Sequence, residues 1–300
     1  MRALFVLTPP EAKRLIGRAV ADMEEVKKAK ENDNILIGHG STNVYVVEEI
    51  LGKESASELF NRNNYLSGAI LRGTLCSILG KDKPPLLLLR RGNIASPANT
   101  MSEILHDFGR GSVFIKGANA IDAEGNAAVF MANPEGGTIG WAIGTILARG
   151  IRLIVPVGLE KLVPSVRKAV TMCGQRTLDY CQGLKVGMLP LSGATVITEI
   201  QALKILAGVE SFHVASGGSS GSEGAVTLVA EGESQGIEKA IEIVESIKGE
   251  PPLTTRKGIC ETCPQSATPQ PLGQWLDGSF KWCLHQNKTE EEIPLYLRNR

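Results

Sequence analysis

The chain has 300 residues, of which 43% are hydrophobic and 21% charged, a balance typical of a globular protein of one to three domains. Its 32 basic and 32 acidic residues cancel, which argues against nucleic acid or an anionic membrane surface as a partner. No stretch reaches the eighteen or so apolar residues of a membrane span, and the N-terminal apolar run is too short for a signal peptide, so we expect a cytoplasmic protein.

Apolar runs predict five strands, and capping residues and apolar spacing predict helices between them. The strands are Ile35–Ile37, Leu66–Leu71, Leu86–Leu89, Ser112–Lys116 and Arg152–Val157. The helices run from Thr8 toward Val26, through Val44–Leu51, and over Thr100–Phe108, Gly137–Arg149 and Ser165–Cys173. Because strands and helices alternate, the pattern predicts an α/β protein with a mostly parallel sheet and helices on both faces.

The stretch Ile35–Leu51 combines a strand, the turn Gly38-His39-Gly40 and a helix that Ser41, Thr42 or Asn43 can cap. Glycines let the backbone approach a ligand closely, and the first N–H groups of a helix favour an anion. The same pattern also forms an ordinary tight turn, in which the glycines serve geometry alone. This stretch by itself leaves both interpretations open.

Donors and cations follow the other predicted strands, and parallel strands bring their carboxyl ends to one edge of a sheet. They are Arg72 after the second strand, Arg90 and Arg91 after the third, and Lys116, Asn119 and Asp122 at the end of the fourth. Each cation could simply mark where a strand reaches solvent. Their recurrence at several strand ends favours an anionic ligand at this edge.

The composition changes beyond the fifth strand, which predicts three regions. Residues 1–190 form the α/β domain, 191–250 a small α+β unit of the ferredoxin-like kind, and 251–300 a proline-containing tail. The tail contains Cys260-Glu-Thr-Cys263 and, further on, Cys283-Leu-His285, a spacing that zinc could use. A redox-active pair or plain thiols are the alternatives, and no other cofactor is required. Trp275, Phe280 and Trp282 suggest that the tail docks on the body or on a second subunit.

Two loops carry a resemblance to a known superfamily. Ile35–Ile50 resembles the first glycine loop of ribose-5-phosphate isomerases, a strand followed by Gly-x-Gly-Ser/Thr-Thr/Ser and a helix. Phe114–Asp122 resembles their second loop, and Gly136–Gly140 falls where these proteins place a third glycine turn. The superfamily also includes DeoR-type sugar sensors, translation-initiation exchange-factor subunits and coenzyme A transferases. The resemblance implies a NagB/RpiA/CoA transferase-like fold that forms homo-oligomers.

The resemblance also implies a site for a phosphorylated small molecule. The implied ligand-binding residues are Gly38, His39, Gly40, Ser41, Thr42, Arg72, Arg90, Arg91, Gly117, Gly136, Gly137 and Thr138. In an aldose–ketose isomerase, Asp122 or Glu135 would be the base, and Lys116 or Asn119 would donate to the enediolate.

This chain departs from the isomerase pattern in its acid–base residues. The isomerase sequence Gly-Ala-Asp-Glu-Ile-Asp reads Gly117-Ala-Asn-Ala-Ile-Asp122 here, and Glu135 precedes Gly136-Gly137 in place of the catalytic lysine. Two hypotheses follow, an isomerase, and a binding or regulatory protein that keeps the pocket without the chemistry.

Overall fold

The structure is a computed structural model that describes residues 1–78, 82–263 and 283–298. The strands are β1 (Arg2–Leu7), β2 (Asn34–Ile37), β3 (Gly68–Leu71), β4 (Thr74–Ser77), β5 (Leu87–Arg90), β6 (Asn93–Ala95), β7 (Val113–Ile115), β8 (Ala120–Ile121), β9 (Ala127–Met131), β10 (Arg152–Pro156), β11 (Gly187–Pro190), β12 (Thr195–Ile197), β13 (Glu210–Gly217) and β14 (Ala225–Glu231). The helices are α1 (Pro9–Asp22), α2 (Glu24–Asn32), α3 (Asn43–Leu51), α4 (Lys53–Leu59), α5 (Met101–Ile104), α6 (Gly137–Arg149), α7 (Val166–Thr171), α8 (Glu199–Ala207) and α9 (Ser234–Glu245). None of the helices in these ranges has both the length and the apolar character that crossing a membrane requires.

A six-stranded mixed sheet forms the centre of the fold, in the order β12-β10-β7-β2-β5-β6. The four strands β12, β10, β7 and β2 are parallel, which confirms the prediction of a mostly parallel sheet. The strand β5 runs antiparallel to β2, with Arg90 opposite Asn34 and Leu87 opposite Ile37. The prediction that every strand end would meet at one edge is therefore wrong for β5.

Apolar side chains cover both faces of this sheet. Ile35 and Ile37 point into a core with α1, α3 and α8, whereas Leu36 points into a second core with α5 and α6. All four residues of β2 are buried. This explains why the central strand is apolar at consecutive positions, since alternate side chains enter different cores.

Three elements lie elsewhere than the sequence predicts. The first strand of the chain, β1, pairs antiparallel with β14 in a separate sheet of order β1-β14-β13, so the predicted boundary at residue 190 divides strands that pair. The strand β12 falls within the predicted small unit but joins the central sheet instead. The strand β3 pairs only with β4 among the described strands, as a separate hairpin.

The fully buried Tyr65 joins the end of β2 to the start of β5. Its hydroxyl donates to the Ile37 carbonyl at 2.7 Å and accepts from the Leu87 amide at 2.9 Å. Its own carbonyl accepts from the Gly40 amide at 3.0 Å. The Tyr65 hydroxyl therefore joins two backbone segments below the carboxyl edge of the sheet, and its backbone carbonyl holds a third.

We expect Tyr65→Phe to lower the free energy of unfolding by about 1–3 kcal/mol, because two buried backbone groups lose their partner. Urea unfolding at neutral pH measures this change. The exposed Tyr180 supplies the control, and Tyr180→Phe is expected to stay within about 0.5 kcal/mol. An equal effect of the two substitutions would contradict the role given to the Tyr65 hydroxyl.

Candidate functional site

Two adjoining cavities open at the carboxyl edge of β2, β7 and β10. The first has a volume of about 260 Å³ and the second about 690 Å³. They share the wall formed by Gly68, Ala69, Asn119 and Phe130. The Asn119 side-chain oxygen accepts from the Phe130 amide at 2.9 Å, which leaves its NH₂ group as the donor that this residue can offer at the junction.

The first cavity is cationic. Lys83 and Lys116 line it, and the described part of its lining contains no Asp or Glu. Burial, and then the charges of Lys161 and Lys83, lower the pKa of Lys116 to about 8. Burial also lowers the pKa of Lys83 below its ordinary value. The Lys116 shift has the sign expected for a half-buried cation without a nearby anion, whereas Lys83 is largely exposed.

His39 adds no charge to this cavity. Burial, and then the neighbouring Lys83, lower its pKa to about 3, so the imidazole is neutral at pH 7. Its Nε2 lies 2.8 Å from the Pro84 carbonyl, so the neutral ring carries its proton on Nε2 and donates it there. The ring also packs against Tyr65, with centroids 4.9 Å apart.

The N-terminus of α6 forms the opposite wall of the first cavity, through Gly136, Gly137 and Thr138. Gly136 precedes the helix with φ +85° and no side-chain cap. A Cβ at residue 136 would lie 2.8 Å from the Gly140 Cα, so this turn requires glycine both for its backbone angle and for space. The first N–H groups of a helix that no side chain caps are donors for an anion.

The second cavity contains charges of both signs. Ser41, Lys13 and Lys161 supply donors, and Glu160 is among its carboxylates. The Lys161 ammonium donates to the Ala118 carbonyl at 3.0 Å. Burial lowers its pKa, although the neighbouring Glu160 acts in the opposite direction.

The structure brings seven of the sixteen predicted catalytic and ligand-binding residues to these cavities. The first cavity holds His39, Lys116, Asn119, Gly136, Gly137 and Thr138, and the second holds Ser41 and again Asn119. These residues come from loops after β2, β7 and β9, which the topology places together.

Arg90 and Arg91 do not join the site. Because β5 is antiparallel, both lie at the opposite edge of the sheet, where Arg90 pairs with Asp107 and the Arg91 amide donates to the Asp33 carbonyl at 2.8 Å. Arg72 lies at the turn of the β3–β4 hairpin and donates to the Arg298 carbonyl at 2.7 Å. These three arginines are thus placed away from the predicted ligand.

The glycine loop after β2 is packed from within. A Cβ at Gly38 would lie 2.9 Å from the Lys116 side chain, and one at Gly117 would lie 3.5 Å from the Asn43 oxygen. Asn43 also donates to the Gly38 carbonyl at 2.7 Å. Gly38, Gly40, Thr42 and Gly117 line neither cavity, and of these glycines Gly38 is the one that leaves room for a neighbouring side chain, that of Lys116.

Neither predicted base faces a cavity. Asp122 is buried and accepts from the Val166 amide at 3.0 Å and from the amide and side chain of Asn126. Burial would raise its pKa, but these hydrogen bonds hold the pKa below its ordinary value. Glu135 is exposed and lines neither cavity. The prediction that one of them is the base is not supported by their positions.

The structure adds three residues that the sequence analysis does not name. They are Lys83, Glu160 and Lys161, of which Lys83 precedes β5 and the other two follow β10. For Glu160 and Lys161 a signal existed, because they follow β10 by the same rule that selected Lys116. Lys83 has no such signal, since only the antiparallel course of β5 brings the residues before that strand to this edge.

The predicted tail site is not assembled around an ion. Across residues 1–78, 82–263 and 283–298, no three His, Cys, Asp or Glu side chains are placed to hold one metal. The Gly258 amide donates to the Ser77 carbonyl at 2.9 Å. The backbone of Cys283 forms an isolated antiparallel β-bridge with Leu184. These pairings join both tail segments to the body near Cys76. Trp275, Phe280 and Trp282 lie outside the described residues.

Zinc at Cys260, Cys263, Cys283 and His285 stays a prediction. If three thiolates and one imidazole close a tetrahedral site, metal analysis of protein purified without chelator should find about one equivalent of zinc. Cys260→Ser should then release it and Cys173→Ser should retain it. Less than half an equivalent in the unaltered protein would contradict the prediction.

Comparisons with known proteins add a weak resemblance. No family model matches the sequence, and no curated protein matches it. Among solved structures, ribose 5-phosphate isomerase from Plasmodium falciparum is similar over 81% of this chain and 88% of its own, with 13% identity and a TM-score of 0.23. A similarity this low gives no information about function. The case for a function therefore comes from the geometry of the two cavities.

Proposed function

We propose that this protein binds a phosphorylated small molecule at the carboxyl edge of its central sheet. The phosphate occupies the first cavity, between the ammonium groups of Lys83 and Lys116 and the N-terminus of α6. The remainder of the ligand passes Asn119 into the second cavity. The observation that carries this proposal is a cavity lined by two lysines and an uncapped helix terminus, with no carboxylate among its described lining residues.

The charge balance supports an anion in preference to a neutral ligand. The Lys83 ammonium has a hydroxyl partner, Ser67, at 3.0 Å, and the Lys116 ammonium lies 3.4 Å from the Gly117 carbonyl. Neither contact neutralises a charge. The half-buried Lys116 cation costs free energy that a dianion offsets, since desolvation is costly for an unpaired charge, and Lys83, although exposed, adds a second positive charge.

A thermal-shift screen with sugar phosphates, nucleotides and coenzyme A esters tests this proposal, since a ligand that binds the folded state raises the melting temperature. Ribose 5-phosphate is expected to raise it and ribose is not. Lys83→Met and Lys116→Met should each weaken the binding of ribose 5-phosphate by about tenfold or more, because each removes one charge-assisted contact.

Lys239 on α9 is exposed and remote from both cavities, so Lys239→Met is the matched control and should leave the affinity unchanged. A screen in which no phosphorylated compound shifts the melting temperature would refute the proposed function. Equal weakening by Lys116→Met and Lys239→Met would refute the proposed place of the phosphate.

Aldose–ketose isomerisation is the second candidate function. Such a reaction needs a base beside the ligand and donors that stabilise an enediolate. The observation that favours it over binding alone is the Glu160 carboxylate, which lines the second cavity beside the Lys13 ammonium at 3.5 Å.

A further inference from the structure

Trp141 lies on a side of α6 that does not face the core. The helix buries Ile139, Ala142 and Ile146 against the second core, and Trp141 lies about 200° around the helix axis from Ile139, at about 100° per residue. Its side chain is 49% exposed. An indole in this position contributes little to the core, so its place in the lining of the first cavity indicates contact with a ligand.

Trp141 follows the amide donors at the start of α6 by one helical turn. Residues four apart lie on the same face of a helix, so Trp141 shares a face with Gly137, and a helical side chain leans back toward the N-terminus. Gly137 has no side chain that could fill the space between them. One turn rises about 5.4 Å, so a ring stacked on the indole and a phosphate at the helix terminus are about one sugar apart.

The first cavity is larger and more apolar than a phosphate requires. Its volume is about 260 Å³, whereas the four oxygens of a phosphate fill the space of roughly four or five waters, on the order of 120–150 Å³ at about 30 Å³ each. Leu75, Leu184 and Val186 line the same cavity, and the Leu184 amide donates to the Leu75 carbonyl at 2.9 Å, which joins their segments. The cavity therefore has space and an apolar wall for a flat ring.

Asn133 supplies a hydrogen-bond donor to this cavity. Its side-chain oxygen accepts from the Glu135 amide at 2.8 Å, which leaves the NH₂ group as the donor that the residue can offer to the cavity it lines. A hydrocarbon ring has no acceptor for this donor, whereas a nucleobase presents ring nitrogens and carbonyl oxygens at its edge. The lining thus suits a heteroaromatic ring.

We propose that the phosphorylated molecule is a nucleotide ester, whose base stacks on Trp141 in the first cavity and whose phosphate joins this part to the remainder in the second cavity. This inference rests on the proposed function and names the class of its ligand. Two cavities that share a wall at Asn119, one of them lined by lysines, fit a phosphate group with a substituent on each side. Every base has a π-face, so Trp141 selects for a base over a plain sugar without selecting one base.

Isothermal titration with ribose 5-phosphate and ADP-ribose tests this inference, because ADP-ribose contains ribose 5-phosphate and adds adenosine monophosphate to it. The unaltered protein should bind ADP-ribose at least about tenfold more tightly, the order of effect of one base stacked on an aromatic side chain. Trp141→Leu should remove most of this advantage and leave the affinity for ribose 5-phosphate within about twofold. The added phosphate charge is the same for both proteins, so the variant isolates the stacking.

Further variants of α6 complete the test. Trp141→Phe keeps an aromatic face and should weaken ADP-ribose less than Trp141→Leu does. Leu147 is 57% exposed on the same helix and lines neither cavity, so Leu147→Ala is the matched control and should leave both affinities within about twofold. Circular dichroism shows whether each variant is folded, and Trp141→Gln, which exposes no apolar side chain, serves where Trp141→Leu is not.

The outcomes separate the two proposals. Binding of ribose 5-phosphate with no tighter binding of ADP-ribose overturns the nucleotide assignment and leaves the proposed function standing. An advantage of ADP-ribose that persists in Trp141→Leu, or that Leu147→Ala removes equally, also overturns the assignment. Absence of binding by both compounds overturns both proposals.

Discussion

Arg14→Met is expected to lower the free energy of unfolding by about 3–5 kcal/mol, the largest stability effect we predict, because it leaves buried carboxylates without their counter-ion. The Arg14 side chain is 1% exposed and pairs with Glu48, with Glu49 at 2.9 Å and with Glu250 at 2.9 Å. Glu48 and Glu250 are each 7% exposed. Burial disfavours the Arg14 charge, but these carboxylates raise its pKa above the ordinary value.

Urea unfolding of the Arg14 variant measures this effect, and Arg18→Met is the matched control on the same helix. The Arg18 side chain is about a third exposed and lies 3.7 Å from Glu49, so its loss should cost under about 1 kcal/mol. A loss below about 1 kcal/mol for Arg14→Met as well would contradict the account. Arg62 also contacts Glu48 and Glu250. Because this cation remains in the Arg14 variant, it limits the expected loss of stability.

The pH dependence of stability provides a second readout of the same network. Burial raises the pKa of Glu250, but the hydrogen bond and charge of Arg14 lower it overall. A carboxylate with a lowered folded-state pKa stabilises the protein above its unfolded pKa, and this contribution is lost as the pH falls through the folded value. In Arg14→Met, Glu250 keeps Arg62 and Lys53 as cationic partners, so its folded-state pKa should be lowered less. Acid should therefore destabilise the variant less than the parent.

The central strands could be predicted from the sequence because their apolar runs have one interpretation. Ile35, Leu36 and Ile37 are apolar at consecutive positions, which indicates burial on both faces, and the structure places them in two cores. The direction of β5 could not be predicted in this way. Its apolar residues Leu87–Leu89 fit a central strand of either direction, and the misplaced Arg90 and Arg91 follow from that ambiguity.

Local sequence patterns also do not predict which distant segments pair. The strand β1 pairs with β14 more than two hundred residues away, and no short-range signal distinguishes it from the opening strand of the central sheet. For the candidate site, the loops after β2 and β7 were found by motif and by the position of strand ends. The hydrogen bonds that occupy Asp122 could not be predicted in this way, because its partner Val166 lies at the start of α7, 44 residues further along the chain.

The resemblance to sugar-phosphate proteins implies that glycines form much of the ligand site, whereas charged residues line both cavities in the structure. Gly38 and Gly117 allow two loops to pack around Asn43. Lys83 and Lys116 line the first cavity, and Glu160 lines the second. A glycine motif therefore predicts where backbones approach, and the chemistry depends on side chains from other strand ends.

The affinity for a phosphorylated ligand is expected to fall as the pH rises above 8, by about tenfold between pH 7 and pH 10. The reason is the Lys116 ammonium, whose pKa burial and neighbouring lysines lower to about 8. A bound dianion favours the charged form, so binding above pH 8 takes up a proton. The phosphate itself is already a dianion over this range, since its second pKa is about 6.

Without ligand the sign is opposite. The unfolded chain holds the Lys116 proton up to about its ordinary pKa of 10.5, so it binds more protons than the folded state between pH 8 and 10.5. The stability of the ligand-free protein from this group should therefore rise over the range in which affinity falls. Isothermal titration with ribose 5-phosphate at pH 7, 8, 9 and 10 measures the affinity. Lys116→Arg keeps a charge that does not titrate there, so its decline should begin at higher pH, and an affinity in the unaltered protein that stays constant from pH 7 to 10 would remove Lys116 from the anion site.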